Sequence, residues 1–65
     1  MTGDIRRDQL RPGLAVSIVQ KQDQGTGRLT DGVIRDILTK SSTHPHGIKV
    51  RLESSEVGRV KRILG

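Results

Sequence analysis

Residues Ser41–Glu53 read SSTHPHGIKVRLE. From Ile48 onward the stretch alternates strictly. Ile48, Val50 and Leu52 fall on one side, and Lys49, Arg51 and Glu53 on the other. A period of two belongs to an extended strand, whose successive side chains point to opposite faces. Ile48–Glu53 is therefore expected to be a half-buried strand with an aliphatic inner face and a largely cationic outer one. Just upstream, Pro45 biases His44 toward extended backbone and stiffens the loop. Gly47 then lets the chain turn into the strand.

Downstream, Ser54-Ser55 reads as a two-residue turn, and Glu56–Ile63 as the returning half of a hairpin. If Val57 and Val60 both pack inward, a bulge near Gly58 has to shift the alternation. Upstream of the longest loop, Lys40–Gly47, the segment Arg28–Thr39 reads RLTDGVIRDILT. Val33, Ile34, Ile37 and Leu38 break its alternation and also satisfy helical spacing. The β-branched content favours a strand, with a bulge or bend at Gly32. Leu14–Val19 is a further strand, with Leu14, Val16 and Ile18 on one face and Ala15, Ser17 and Val19 on the other. Arg11-Pro12-Gly13 supplies the turn before it. Gln20–Arg28, with Gly25-Thr26-Gly27 near its end, forms an exposed connection after it.

The chain has 65 residues, which allows one small domain. It has no cysteine for a disulfide framework or thiolate metal site, and no aromatic residue, so the core must come from six Val, six Ile and six Leu. Burying about ten of these at ~1.5–3 kcal/mol each offsets the ordering entropy of so short a chain with little to spare. These features predict an all-β fold, a small SH3-like barrel of four to five strands with short connections. Residues 1–9 are expected to be a flexible basic arm, and residues 10–65 a single barrel domain. No apolar run approaches the ~20 residues of a membrane span. The start, MTGDIRRDQLRPG, has no apolar segment behind its basic residues, so a cytoplasmic location is expected.

Twelve basic residues stand against seven acidic ones, a net charge of +5. Eight of the twelve are arginine, whose planar fork suits phosphate. Lys49, Arg51, Arg59, Lys61 and Arg62 gather on the predicted C-terminal hairpin, Arg35 and Lys40 extend the patch, and His44 and His46 flank it. The competing reading is a solvated face laced with cross-strand ion pairs.

His44-Pro45-His46 has ligand-like spacing. Tetrahedral zinc needs about four ligands, however, and Asp31, Asp36 and Glu53 would have to complete the set. A nucleophile drawn from Ser41, Ser42 or Thr43 with His44 or His46 and Asp36 would need a pocket that so small a core does not supply. Neither a metal or other cofactor nor an enzymatic activity is expected. Gly25-Thr26-Gly27-Arg28 could present backbone N–H groups to phosphate, although a plain hairpin tip is the simpler reading.

Pro12–Val16, a loop, and Asp31–Ile37 resemble the KOW motif of SH3-like barrels in ribosomal proteins and transcription elongation factors. The pattern is loose, and the connection between its halves is longer here. KQDQ (Lys21–Gln24), TGRLTDG (Thr26–Gly32), DILT (Asp36–Thr39), HPHGIKVRLE (His44–Glu53) and VGRV (Val57–Val60) together resemble the YwbE family of small, mostly bacterial proteins. That likeness spans Leu10 to Ile63 and implies no biochemical role of its own. Ser54-Ser55 departs from it, where a turn containing glycine would be expected.

A cationic surface without aromatic platforms suits phosphate rather than splayed bases. The expected partner is nucleic acid read through its backbone or shape, as structured RNA or duplex DNA. The KOW likeness implies RNA over DNA, on ribosomal or other ribonucleoprotein particles. A protein-interaction module is the rival reading, docking on an acidic partner or self-associating through an unpaired edge strand.

Overall fold

The computed structural model describes residues 5–65. Four strands follow the chain: β1 (Ala15–Gln20), β2 (Thr30–Ile37), β3 (Lys49–Leu52) and β4 (Val57–Ile63). All neighbours are antiparallel, and β4 returns to pair with β1, so the sheet closes into a four-stranded barrel. Closure gives each strand a hydrogen-bonded neighbour on both sides. The unpaired edge required for edge-to-edge self-association is absent from these four strands.

The buried core on the inner face is built from aliphatic side chains. Val16, Ile18, Ile34, Ile48, Val50 and Leu52 are fully buried, and Leu10, Leu14 and Val60 complete the cluster. Ile5 and Ile37 pack against its margin. Thus Leu14, Val16 and Ile18, and likewise Ile48, Val50 and Leu52, point inward as their alternation requires.

Two bulges explain the places where alternation fails. Between β2 and β3, Ile34 pairs with Leu52, Asp36 with Arg51 and Ile37 with Val50, so Arg35 is the extra residue. Skipping Arg35 lets Ile34 and Ile37, three positions apart, share the inner face while remaining in a strand. The irregularity lies at Arg35 and not at Gly32, which pairs regularly with Val16. Gly32 is small for a packing reason: a Cβ there would lie 2.6 Å from Cδ1 of the buried Leu52. Between β1 and β4, Ile18 pairs with Val60 and Ser17 with Arg62, leaving Lys61 as the extra residue. No bulge sits at Gly58. Gly58 and Val60 face inward, and Val57 points outward, half-buried. A Cβ on Gly58 would lie 2.4 Å from the Val19 carbonyl oxygen, so only glycine allows β4 to approach β1 this closely.

The β3–β4 turn is one residue longer than a two-residue loop. The Leu52 N–H donates to the Glu56 carbonyl at 2.8 Å, leaving Glu53, Ser54 and Ser55 as the loop. Ser55 takes φ +84°, a left-handed conformation normally given to glycine.

The arm expected over residues 1–9 is described only from Ile5 onward. Residues 1–4 lie outside the described residues, but Arg7–Gln9 form a short 3-10 turn. The Arg7 N–H donates to the Ser42 carbonyl and the Arg7 Nε to the Thr39 carbonyl, both at 2.8 Å. Two contacts to a distant loop hold this part of the arm on the barrel. No helix among the described residues is long and apolar enough to cross a membrane.

Candidate nucleic-acid interface

Register dictates which cations meet on the outer face. Arg51 lies between Asp36 of β2 and Val57 of β4. One pairing along, Lys49 of β3 faces Arg59 of β4, which in turn faces Val19 of β1. A third row joins Asp31, Ser17 and Arg62. Cross-strand rows of this kind are the unit of sheet stabilisation, and their charges differ sharply here.

The first row is neutralised. Asp36 Oδ2 lies 3.8 Å from Arg51 Nη1 and also 3.8 Å from Arg35 Nε. In the third row the Ser17 hydroxyl donates to the Asp31 carboxylate. The middle row sets two cations directly opposite one another. None of Lys21, Lys49, Arg59 and Lys61 makes an ion pair among the described residues.

The HPHG loop orients these cations. Gly47 N–H donates to the His44 carbonyl at 3.0 Å, closing a turn with Pro45 at its second position. Gly47 itself has φ +98°. The turn aims carbonyl oxygens at the strand: Arg59 Nη1 donates to the Gly47 carbonyl at 3.2 Å and to Thr39 Oγ1 at 3.4 Å. Lys61 Nζ donates to the His46 carbonyl at 3.2 Å. Thr39 Oγ1 also accepts the Lys49 N–H at 2.8 Å, tying the loop to the start of β3. Carbonyls thus position Arg59 and Lys61 without cancelling their charge.

The histidines form a small unit of their own. The His46 N–H donates to His44 Nδ1 at 3.1 Å, which requires that nitrogen to be unprotonated. Partial burial, then the positive charges of Arg59 and His46, hold the His44 imidazole below its ordinary value of 6.5. His44 is half-buried, and His46 is exposed toward the cations. No three or more His, Cys, Asp or Glu side chains among the described residues are grouped to hold a metal ion.

A groove runs over the middle row between the HPHG loop and the β1–β2 connection. One lobe, about 280 Å³, is lined by Val19, Gln24, Gly27, His46, Arg59 and Lys61. A second, about 480 Å³, is lined by Val19, Lys21, Gln24, Lys49, Val57, Gly58 and Arg59. The lobes share Val19, Gln24 and Arg59, and neither has an acidic residue in its lining.

Of the nine predicted site residues, His46, Lys49, Arg59 and Lys61 meet at this groove. Arg35 and Arg51 gather around Asp36 instead, and Arg62 lies in the Ser17 row. Lys40 is exposed on the loop, while His44 supports His46 from behind. At the Gly25-Thr26-Gly27 tip two of the three amides are taken: the Thr26 and Gly27 N–H groups both donate to the Asp23 carbonyl, at 3.2 and 2.8 Å.

Lys21 and Gln24 escaped the sequence reading. Both lie on the short 3-10 turn Lys21–Asp23 and its continuation, which bring the connection beside β4. The available signal was Val19. An aliphatic residue on the outer face of β1 that is only 7% exposed has to be covered, and this connection and Arg59 border it.

Fold and site together describe a small closed β-barrel with a cationic groove on one face, lined by no carboxylate among the described residues. By descent, the chain belongs to the family described as "Uncharacterized conserved protein (DUF2196)", whose model matches residues 4–63. It is 57% identical over 58 residues to a Bacillus subtilis (strain 168) protein described as "Uncharacterized protein YwbE", covering 89% of each chain. No solved structure matches it.

Proposed function

We propose that this chain is a non-enzymatic, cytoplasmic nucleic-acid-binding module that grips the phosphate backbone of structured RNA, in preference to duplex DNA, through the groove at Lys21, Lys49, Arg59 and Lys61. The observation that carries this reading is the middle row. Like charges facing each other across a ladder destabilise a sheet, yet Lys49 and Arg59 do so with no ion-pair partner among the described residues. A surface built for solubility alone is better served by the arrangement one row away, where Asp36 sits between Arg35 and Arg51. A polyanion relieves the repulsion between Lys49 and Arg59, which makes binding and local electrostatics mutually supportive.

RNA is favoured because KOW-like barrels, which the chain resembles, occur in ribosomal proteins; ribosomal or other ribonucleoprotein particles are the corresponding partners. An acidic protein would satisfy the same charges. The test is a fluorescence titration at low salt against an RNA hairpin, duplex DNA and single strands, each repeated with excess poly-glutamate. The expected order places the RNA hairpin first, with poly-glutamate a weak competitor. Full displacement by poly-glutamate, or no binding to any nucleic acid, would overturn the proposal.

A further inference from the structure

The groove carries more than charge. Val19 forms an apolar floor within the cationic wall. Gln24 lines both lobes, and its carboxamide makes no hydrogen bond among the described residues. Lys61 and Arg59 stand along one side, held by the His46 and Gly47 carbonyls. A continuous duplex keeps its base faces stacked and offers such a wall phosphate, sugar and base edges alone, leaving the apolar floor unused. An unpaired nucleotide uses all three, with its phosphate on Arg59 and Lys61, its base against Val19 and its base edge on the donor and acceptor of Gln24. The lobe beside His46, about 280 Å³, lies near the lower end of the roughly 300–1,000 Å³ usual for small-molecule sites. That scale suits one nucleotide and not a stacked run.

We infer that the groove is a single-nucleotide subsite, which seats one unpaired nucleotide, such as a bulge, projecting from structured RNA. This deepens the backbone-binding reading and rests on it. The subsite also accounts for binding without aromatic side chains: the base is packed on an aliphatic floor, and the phosphate wall supplies most of the affinity.

The experiment compares two RNA hairpins of equal length and charge, one fully paired and one with a single-nucleotide bulge, bound to the wild-type protein and to Gln24→Ala. Gln24 is exposed, so its replacement leaves the barrel intact. The bulged hairpin is expected to bind about tenfold tighter, the scale of one apolar contact and one hydrogen bond. Gln24→Ala should reduce that preference at least severalfold without changing the salt dependence. Amide resonances of Val19, Gln24 and Gly27 should shift with the bulged RNA more than with the paired one. Equal affinity for the two hairpins would overturn the subsite while leaving backbone binding in place. Absence of binding to either would remove both.

Discussion

At the scale of single residues, the strain at Ser55 stands out. Its φ of +84° costs a non-glycine residue about 1–2 kcal/mol. Ser55→Gly should therefore stabilise the protein by about 1 kcal/mol, raising the thermal midpoint by roughly 4–8 °C for a domain of this size. Thermal denaturation followed by circular dichroism checks this; an unchanged or lower midpoint would contradict it. Gly58 gives the opposite case. A methyl group there meets the Val19 carbonyl oxygen at 2.4 Å, so Gly58→Ala should cost at least ~1–3 kcal/mol, read as a lowered urea midpoint. His44 makes stability depend on pH. Its folded-state value lies below 6.5, so between that value and 6.5 the unfolded chain binds more protons than the folded one. Its contribution is present above 6.5 and lost as pH falls through the folded value. Urea midpoints should decline across that window in the wild type and decline less in His44→Gln.

At the scale of elements, the two bulges show what alternation can and cannot reveal. The strands were legible wherever period two was unbroken, as in Ile48–Leu52 and Leu14–Ile18, because burial of one face leaves little freedom of register. Where apolar residues stood three apart, as at Ile34 and Ile37, a bulge and a helical turn leave the same trace. The residue that breaks the pattern is then an exposed charge, Arg35 or Lys61, which carries no mark of its role. Ser55 shows the same limit in a turn, where serine gives no sign of a left-handed backbone. The site was legible in part: the hairpin cations were visible, but their division into a neutralised row and a bare one depends on Asp36 arriving from β2. That division has a consequence for stability. Lys49→Glu should form an ion pair with the facing Arg59 and stabilise the free protein by about 0.2–1 kcal/mol. The same change should abolish RNA binding, and urea denaturation alongside a binding titration would detect the trade.

At the scale of the whole molecule, barrel closure accounts for both economy and exposure. The core is a small aliphatic cluster, and closing β4 onto β1 removes the edges through which small sheets pair with other chains. What remains for recognition is the outer face, where the HPHG loop, anchored by Arg7 and Thr39, stands against the β1–β2 connection across the cationic row. Phosphate binding is therefore expected to run through Lys21, Lys49, Arg59 and Lys61 and not to follow the chain's total charge. Four phosphate contacts imply a log–log salt slope of about −2.8 to −3.6. The most direct test is to measure that slope for an RNA hairpin with the wild type, with Lys49→Gln/Lys61→Gln, and with Arg35→Gln/Arg51→Gln. The groove pair should flatten the slope by about 1.4 to 1.8, while the pair around Asp36 should leave it nearly unchanged. Equal flattening by both pairs would contradict the account, because binding would then follow net charge and not the groove.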